Sequence, residues 1–159
     1  MAKAILICGR ICTGKSTYAD SLCAGGKAVS LSIDGLMLAM LDPYLGDMHE
    51  VYTARAEKYL LEKSVEIINA GCDVVLDWGF WTAAQRREIK EFYRSKDIQW
   101  EMHYLDIDDR EWRRRLEKRN RLVQQGKTDA YYVDENLAAK FRSKFEKPDR
   151  NEADVWVTQ

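Results

Sequence analysis

The stretch Gly9-Arg-Ile-Cys-Thr-Gly14-Lys15-Ser16 constrains this chain more than any other, because it fits the pattern G-x-x-x-x-G-K-[ST]. It follows the apolar run Ala4-Ile-Leu-Ile-Cys8 directly and opens a helix-forming stretch that stops at Gly25-Gly26. A buried strand feeding a glycine loop, and the loop feeding a helix, is the context a phosphate cradle needs. Gly9 and Gly14 let the backbone turn so that the N–H groups of Arg10, Ile11, Cys12 and Thr13 point inward at a polyphosphate. The helix that starts there, through Ser16 and Thr17, turns its positive end to the same place. Lys15 reaches the β- and γ-oxygens, and the Ser16 hydroxyl holds Mg²⁺. The stretch therefore predicts a site for a nucleoside triphosphate, with ATP and Mg²⁺ as its ligands.

A length of 159 residues fits one domain, spanning 1–159, around one core. The formal net charge of −1 argues against a chain that grips nucleic acid through a general basic surface. A strand is expected almost at once, which reads as a chain without a signal peptide, and no apolar run approaches membrane-spanning length. The four cysteines have no zinc-like spacing and read as free thiols of a reducing cytoplasm, which is the expected location. Cys12 stands apart, because a helix N-terminus and a nearby lysine lower a thiol's pKa; oxidation there is expected to block ATP binding.

Beyond the loop, Lys27–Ile33 reads as a second strand that ends on Asp34-Gly35. The segment 36–52 is irregular, with turns at Asp42-Pro43 and Gly46-Asp47. A helix follows over Thr53–Asn69, stopped by Gly71, and then a short apolar strand over Asp73–Asp77. Thr82-Ala-Ala-Gln85 is a capping box that starts a helix to about Arg94. Ile98–Ile107 reads as a strand, Asp109–Arg119 as a charged helix, Asp134 as the cap of another that Pro148 ends, and 153–158 as a last strand. Strands alternating with helices imply a parallel α/β sheet covered on both faces. Right-handed crossovers then put every strand's carboxyl end on one edge, where ligands bind.

That edge gathers the residues able to do chemistry. Asp34 follows the second strand, where a carboxylate can take the proton of an acceptor hydroxyl as it attacks the γ-phosphorus. It also serves as an acceptor contact. Asp77 ends the third strand, as a Mg²⁺ carboxylate or a second acceptor contact. Trp78, Phe80 and Trp81 surround Gly79 and suit a planar or sugar-like acceptor; Arg86, on the next helix, joins them. Arg115 and Arg119 lie four apart on one helix face. They precede a polar segment containing Gly126 that reads as a lid over about 119–133, where an arginine would meet the transferring phosphoryl group on closure. The remaining charges of 109–121 read as a solvated face laced by Asp109–Arg113, Glu111–Arg115 and Glu117–Arg121. His103 reads as structural, and His49 lies in the acceptor-side segment.

The order of P-loop, Asp34, Asp77-x-Gly and Arg115-Leu-x-x-Arg119 resembles the small P-loop kinases. It is most similar to the zeta-toxin, chloramphenicol-phosphotransferase and polynucleotide-kinase-like group, often described as AAA-family ATPases. The resemblance spans nearly the whole chain. It implies a three-layer fold with a five-stranded sheet in the order 2-3-1-4-5, ATP and Mg²⁺, and phosphorylation of an acceptor hydroxyl. It also implies Lys15 and Ser16 at phosphates and metal, Asp34 as base, Arg119 as lid arginine, and Phe145-Glu-x-Pro148 near adenine. Polynucleotide kinases of this group usually carry an arginine three residues after the base, where this chain has Met37. A small, partly apolar acceptor fits better than a polynucleotide or tRNA 5′-hydroxyl. A nucleotide-dependent switch ATPase is the reading from another class, and a short chain with no second domain to move argues against it.

Overall fold

The computed structural model describes residues 1–42, 45–128 and 130–158. Its sheet is five-stranded, parallel throughout, in the order β2-β3-β1-β4-β5. The central strand β1 (Ala4–Cys8) is buried along its whole length, as a strand covered on both faces must be. It pairs with β3 (Asp73–Gly79) through Ala4 on Val74 and Leu6 on Leu76, and with β4 (Trp100–Asp106) through Ala4 on Trp100. β2 (Ala28–Leu31) and β5 (Val155–Thr158) close the two edges.

The period of two along β1 sorts the core into two layers. Leu6 and Cys8 face α3 (Met48–Asn69) and α4 (Ala83–Arg94), where Ile68, Ile89 and Tyr93 are buried with them. Ile5 and Ile7 face α1 (Lys15–Cys23) and bury Ala19. Each fully buried leucine or valine contributes about 1.5–3 kcal/mol. A third cluster joins α5 (Asp109–Gln124) to α6 (Glu135–Lys144) through Trp112, Leu116, Val133 and Ala138, with Ile11 and Cys12 of the loop against it. Among the described residues, no helix is long and apolar enough to cross a membrane.

Several boundaries differ from the sequence expectations. Ile33–Met40 is a helix, α2, rather than irregular chain; Ser32 caps it by accepting the Gly35 N–H at 3.1 Å. β2 ends at Leu31 for the same reason. α3 starts at Met48 rather than Thr53, and β3 runs on to Gly79. α5 continues past Arg119 to Gln124, and Gly126 (φ 64°) then supplies the left-handed turn that follows the helix. Arg119 therefore sits on a helix, not in a lid. The turn expected at Asp42-Pro43 falls in part outside the described residues.

Candidate active site

β1, β2 and β3 point their carboxyl ends at one cleft of about 2070 Å³, and the loop Gly9–Ser16 forms one side of it. Gly9 donates its N–H to the Gly79 carbonyl at 3.0 Å, so the loop is stitched to the end of β3. A Cβ on Gly9 would lie 2.9 Å from Thr13 Oγ1 and 3.3 Å from the Leu105 carbonyl, which leaves no room for a side chain. Cys12 (φ 61°) and Gly14 (φ 89°) are both left-handed, and this is how the loop folds back on itself. The buried Thr13 hydroxyl donates to the Arg10 carbonyl at 2.9 Å, and Lys15 Nζ donates to the same oxygen at 2.8 Å. Burial pushes the Lys15 ammonium below its usual 10.5, while the Asp77 and Asp34 carboxylates pull it back up.

Asp77 Oδ2 accepts the Ser16 hydroxyl at 2.7 Å, and its other oxygen, Oδ1, is buried with no partner. Loss of water pushes the Asp77 carboxyl up, against the Ser16 hydrogen bond and the Lys15 charge. An unpaired carboxylate oxygen beside a hydroxyl is a hard donor pair of the kind Mg²⁺ takes, so the residues fit that ion. Asp34 stands in the first turn of α2 and opens onto the same cleft. Its charge acts on Lys15, on Asp77 and on Tyr131. Lys15, Ser16, Asp34 and Asp77 are thus brought together, as the sequence implied.

α5 lies over the loop. Trp112 Nε1 donates to the Ile11 carbonyl at 2.8 Å, and Arg115 Nη1 donates to the Thr13 carbonyl at 3.2 Å. Glu111 orients Arg115 at 2.6 Å, as the spacing predicted, and also takes Arg114 at 2.7 Å. Arg119 Nη1 reaches Cys12 Sγ at 3.6 Å, while its Nε is buried without a partner. Asp109 departs from expectation and pairs with Arg10 at 2.7 Å rather than with Arg113. The Arg10 side chain, also bonded to the Ile107 carbonyl at 2.9 Å and lying over Trp112, leaves only its backbone for a phosphate.

On the acceptor side, Trp78, Phe80 and Trp81 all line the cleft, but each is also anchored. Trp78 Nε1 donates to the Leu31 carbonyl at 2.9 Å; Phe80 is 6% exposed; Trp81 meets Phe141 edge-on at 5.0 Å. Arg86 does not serve an acceptor. It is 1% exposed and its guanidinium is consumed internally by Glu152 (2.6 and 3.1 Å) and the carbonyls of Glu146, Phe80 and Trp81 (2.8, 3.2 and 3.4 Å). The Phe145-Glu-x-Pro148 stretch braces that turn: Glu146 donates its N–H to the Trp81 carbonyl at 2.8 Å and its carboxylate caps Ala83 at 2.9 Å. His103 is buried and held by Tyr18 at 2.9 Å, a structural place.

Tyr131, Glu57 and Glu88 are among the cleft residues that sequence reasoning passed over. Tyr131 comes from the segment after α5 and meets His49, on α3, edge-on at 6.2 Å across the opening. Glu57 and Glu88 line the far wall. The available signal was helical spacing: Glu57 shares a face with Thr53, Ala54 and Leu61, and Glu88 with Gln85 and Phe92.

Residues 5–148 match the model of the AAA domain family AAA_33. The chain belongs to that family. No curated protein matches the sequence. The fold of this AAA domain recurs in solved kinases of low identity. A proposed kinase from Chloroflexus aurantiacus J-10-fl is 17% identical with a TM-score of 0.73, covering 99% of this chain and 86% of its own. The APS kinase CysC of Mycobacterium tuberculosis, solved with AMPPNP and APS, is 17% identical with a TM-score of 0.67 (99% and 88%). A sugar kinase from Janibacter sp. HTCC2649 is 12% identical with a TM-score of 0.61 (99% and 86%).

Proposed function

We propose that this AAA-domain protein is a kinase that moves the γ-phosphoryl group of ATP to a hydroxyl of a small-molecule acceptor. The observation that carries the reading is the pair of carboxylates with unequal surroundings at the phosphate loop. Asp77 is bonded to Ser16, whereas Asp34 makes no hydrogen bond or ion pair among the described residues and opens onto the cleft. One carboxylate is thereby committed to the metal and the other is left for a proton.

The backbone from Gly9 to Thr17 and Lys15 hold the phosphates, and Ser16 and Asp77 would hold Mg²⁺, which supplies charge neutralisation when bound. Asp34 takes the proton of the acceptor hydroxyl. The oxygen forms its bond to the γ-phosphorus as the bond from that phosphorus to the β–γ bridging oxygen breaks, and ADP leaves. Arg119 and Arg115 meet the negative charge spread over the transferring group. Tyr131, which follows α5 in the chain, stands at the cleft and faces His49.

The small acceptor is favoured over a polynucleotide because Met37 is 5% exposed and packed into the interior. The position that usually carries an arginine in the polynucleotide kinases this chain resembles is a buried methionine here and does not line the cleft. The test is transfer of label from γ-labelled ATP, wild type against Asp34→Asn, offered a small-metabolite extract and, separately, a 5′-hydroxyl oligonucleotide. Asp34→Asn is expected to keep ATP affinity and lose transfer by about 10²- to 10⁴-fold. An equal loss of affinity and rate reassigns Asp34 to the nucleotide; label on the oligonucleotide overturns the small acceptor.

A further inference from the structure

The two walls of the cleft carry opposite charge. α5 and α6 present Arg114, Arg115, Lys118, Arg119, Lys140 and Lys144, the side that suits a triphosphate. α3 and α4 present Glu50, Glu57 and Glu88 to the other half, and no lysine or arginine of these two helices lines it. Charge sorted this way within one cavity distinguishes two ligands by sign.

Four helix glutamates have no cation three or four residues away, Glu50, Glu57, Glu88 and Glu135, and the first three of them line this wall. The neighbours of Glu57 at three and four residues are Thr53, Ala54, Leu60 and Leu61; those of Glu88 are Ala84, Gln85, Glu91 and Phe92. None is a cation, and neither glutamate has an ion pair among the described residues. Elsewhere the chain does compensate such residues: Glu66 pairs with Lys63, Glu91 with Arg94, and Glu111 with Arg114 and Arg115. Both residues are exposed and line the same cleft, and partial loss of water together with the Glu88 charge holds the Glu57 carboxyl above its usual 4.5. Trp78, Phe80 and Phe92 line the same cleft, with the Trp78 and Phe80 ring centres 5.9 Å apart. Aromatic faces next to carboxylates are the surroundings in which an ammonium group is bound best.

Resting on the kinase reading above, we infer that the acceptor is a cationic amino alcohol: its ammonium group sits between Glu57 and Glu88 over the Trp78 and Phe80 rings, and its hydroxyl is turned to Asp34. The acidic wall rejects anionic acceptors by the same field, so Glu57 and Glu88 determine specificity while Asp34 acts on the proton.

The experiment separates a small-metabolite extract by cation exchange into a retained fraction and an unretained fraction. Each is offered, with γ-labelled ATP and Mg²⁺, to wild type and to the Glu57→Gln/Glu88→Gln double variant. Wild type is expected to label a component of the retained fraction. The double variant is expected to lose that activity about 100-fold in kcat/KM, the scale of charge-assisted hydrogen bonds to an ammonium group. Its affinity for a fluorescent ATP analogue should be unchanged, and its melting temperature unchanged or higher, because removing like charges relieves repulsion. Label from the unretained fraction, or full activity in the double variant, overturns this inference and leaves the kinase reading standing. No label from either fraction, with ATP bound normally, overturns both.

Discussion

Replacing Arg86 by methionine tests whether that arginine braces the fold or meets the substrate. The side chain is 1% exposed and donates to both oxygens of Glu152 and to three carbonyls. Breaking a buried charge pair from one side destabilises by about 3–5 kcal/mol. Two features place this site at the low end. The Glu152 side chain keeps 23% of its surface in water, and Lys90, bonded to the Glu152 carbonyl at 2.7 Å, remains as a partial counter-charge. Trp81 O keeps the Glu146 N–H, so the orphan the substitution creates is chiefly the Glu146 carbonyl. About 3 kcal/mol corresponds to a fall in melting temperature of roughly 6–12 °C for a chain of this length. Thermal unfolding by circular dichroism measures it, and titration of the folded variant with an ATP analogue at low temperature should find affinity unchanged. The pair also fixes a pH dependence. Arg86 holds the Glu152 carboxyl below its usual 4.5, so the stability it contributes is complete above that value and is lost as pH falls through the depressed one. Arg86→Met should lack that acid limb. A variant that melts within about 2 °C of wild type, with its acid limb intact, would refute the brace.

Two further outcomes bear on the phosphate end. Arg119→Ala is expected to lower kcat by about 10³-fold with acceptor KM little changed, as removal of a phosphoryl-contacting arginine does; steady-state kinetics decide it, and an unchanged kcat returns Arg119 to packing against Cys12. Asp77→Asn should raise the Mg²⁺ concentration needed for half-maximal transfer by at least about 10-fold, since an amide cannot supply the anionic oxygen a hard cation takes; an unshifted Mg²⁺ titration would assign Asp77 to the acceptor instead.

The phosphate loop was legible in the sequence because its residues act through fixed spacing along the chain, and the strands on either side of it were legible as apolar runs too short for helices. α2 was not. Ile33-Asp-Gly-Leu-Met-Leu-Ala-Met40 is apolar almost all round, so it shows no helical period; the one local sign was Ser32 three residues before Gly35, a cap that looked like a strand end. The reach of α5 was underestimated because its salt-bridge pattern thins after Arg121, while the backbone continues until Gly126 supplies a positive φ. Arg86 was misplaced for a different reason. Its partner Glu152 is 66 residues away in the chain, and no local pattern encodes a contact that only the fold creates.

The same distinction explains where the molecule leaves polar groups unmet. A chain can satisfy a buried group only with partners the fold brings to it, and in most of this structure it does: Thr13, Ser64 and Arg86 are buried and bonded. Three buried side-chain atoms among the described residues have no partner, and two of them, Asp77 Oδ1 and Arg119 Nε, lie on the lining of the cleft. One is an acceptor and the other a donor, on opposite sides of the phosphate loop. Glu57 and Glu88, both exposed, add negative charge to the same lining. A metal, a phosphoryl group and an ammonium group would answer these demands in turn, in the order cation, anion, cation. That sequence of charges is the reason to look for the acceptor among amino alcohols before neutral sugars.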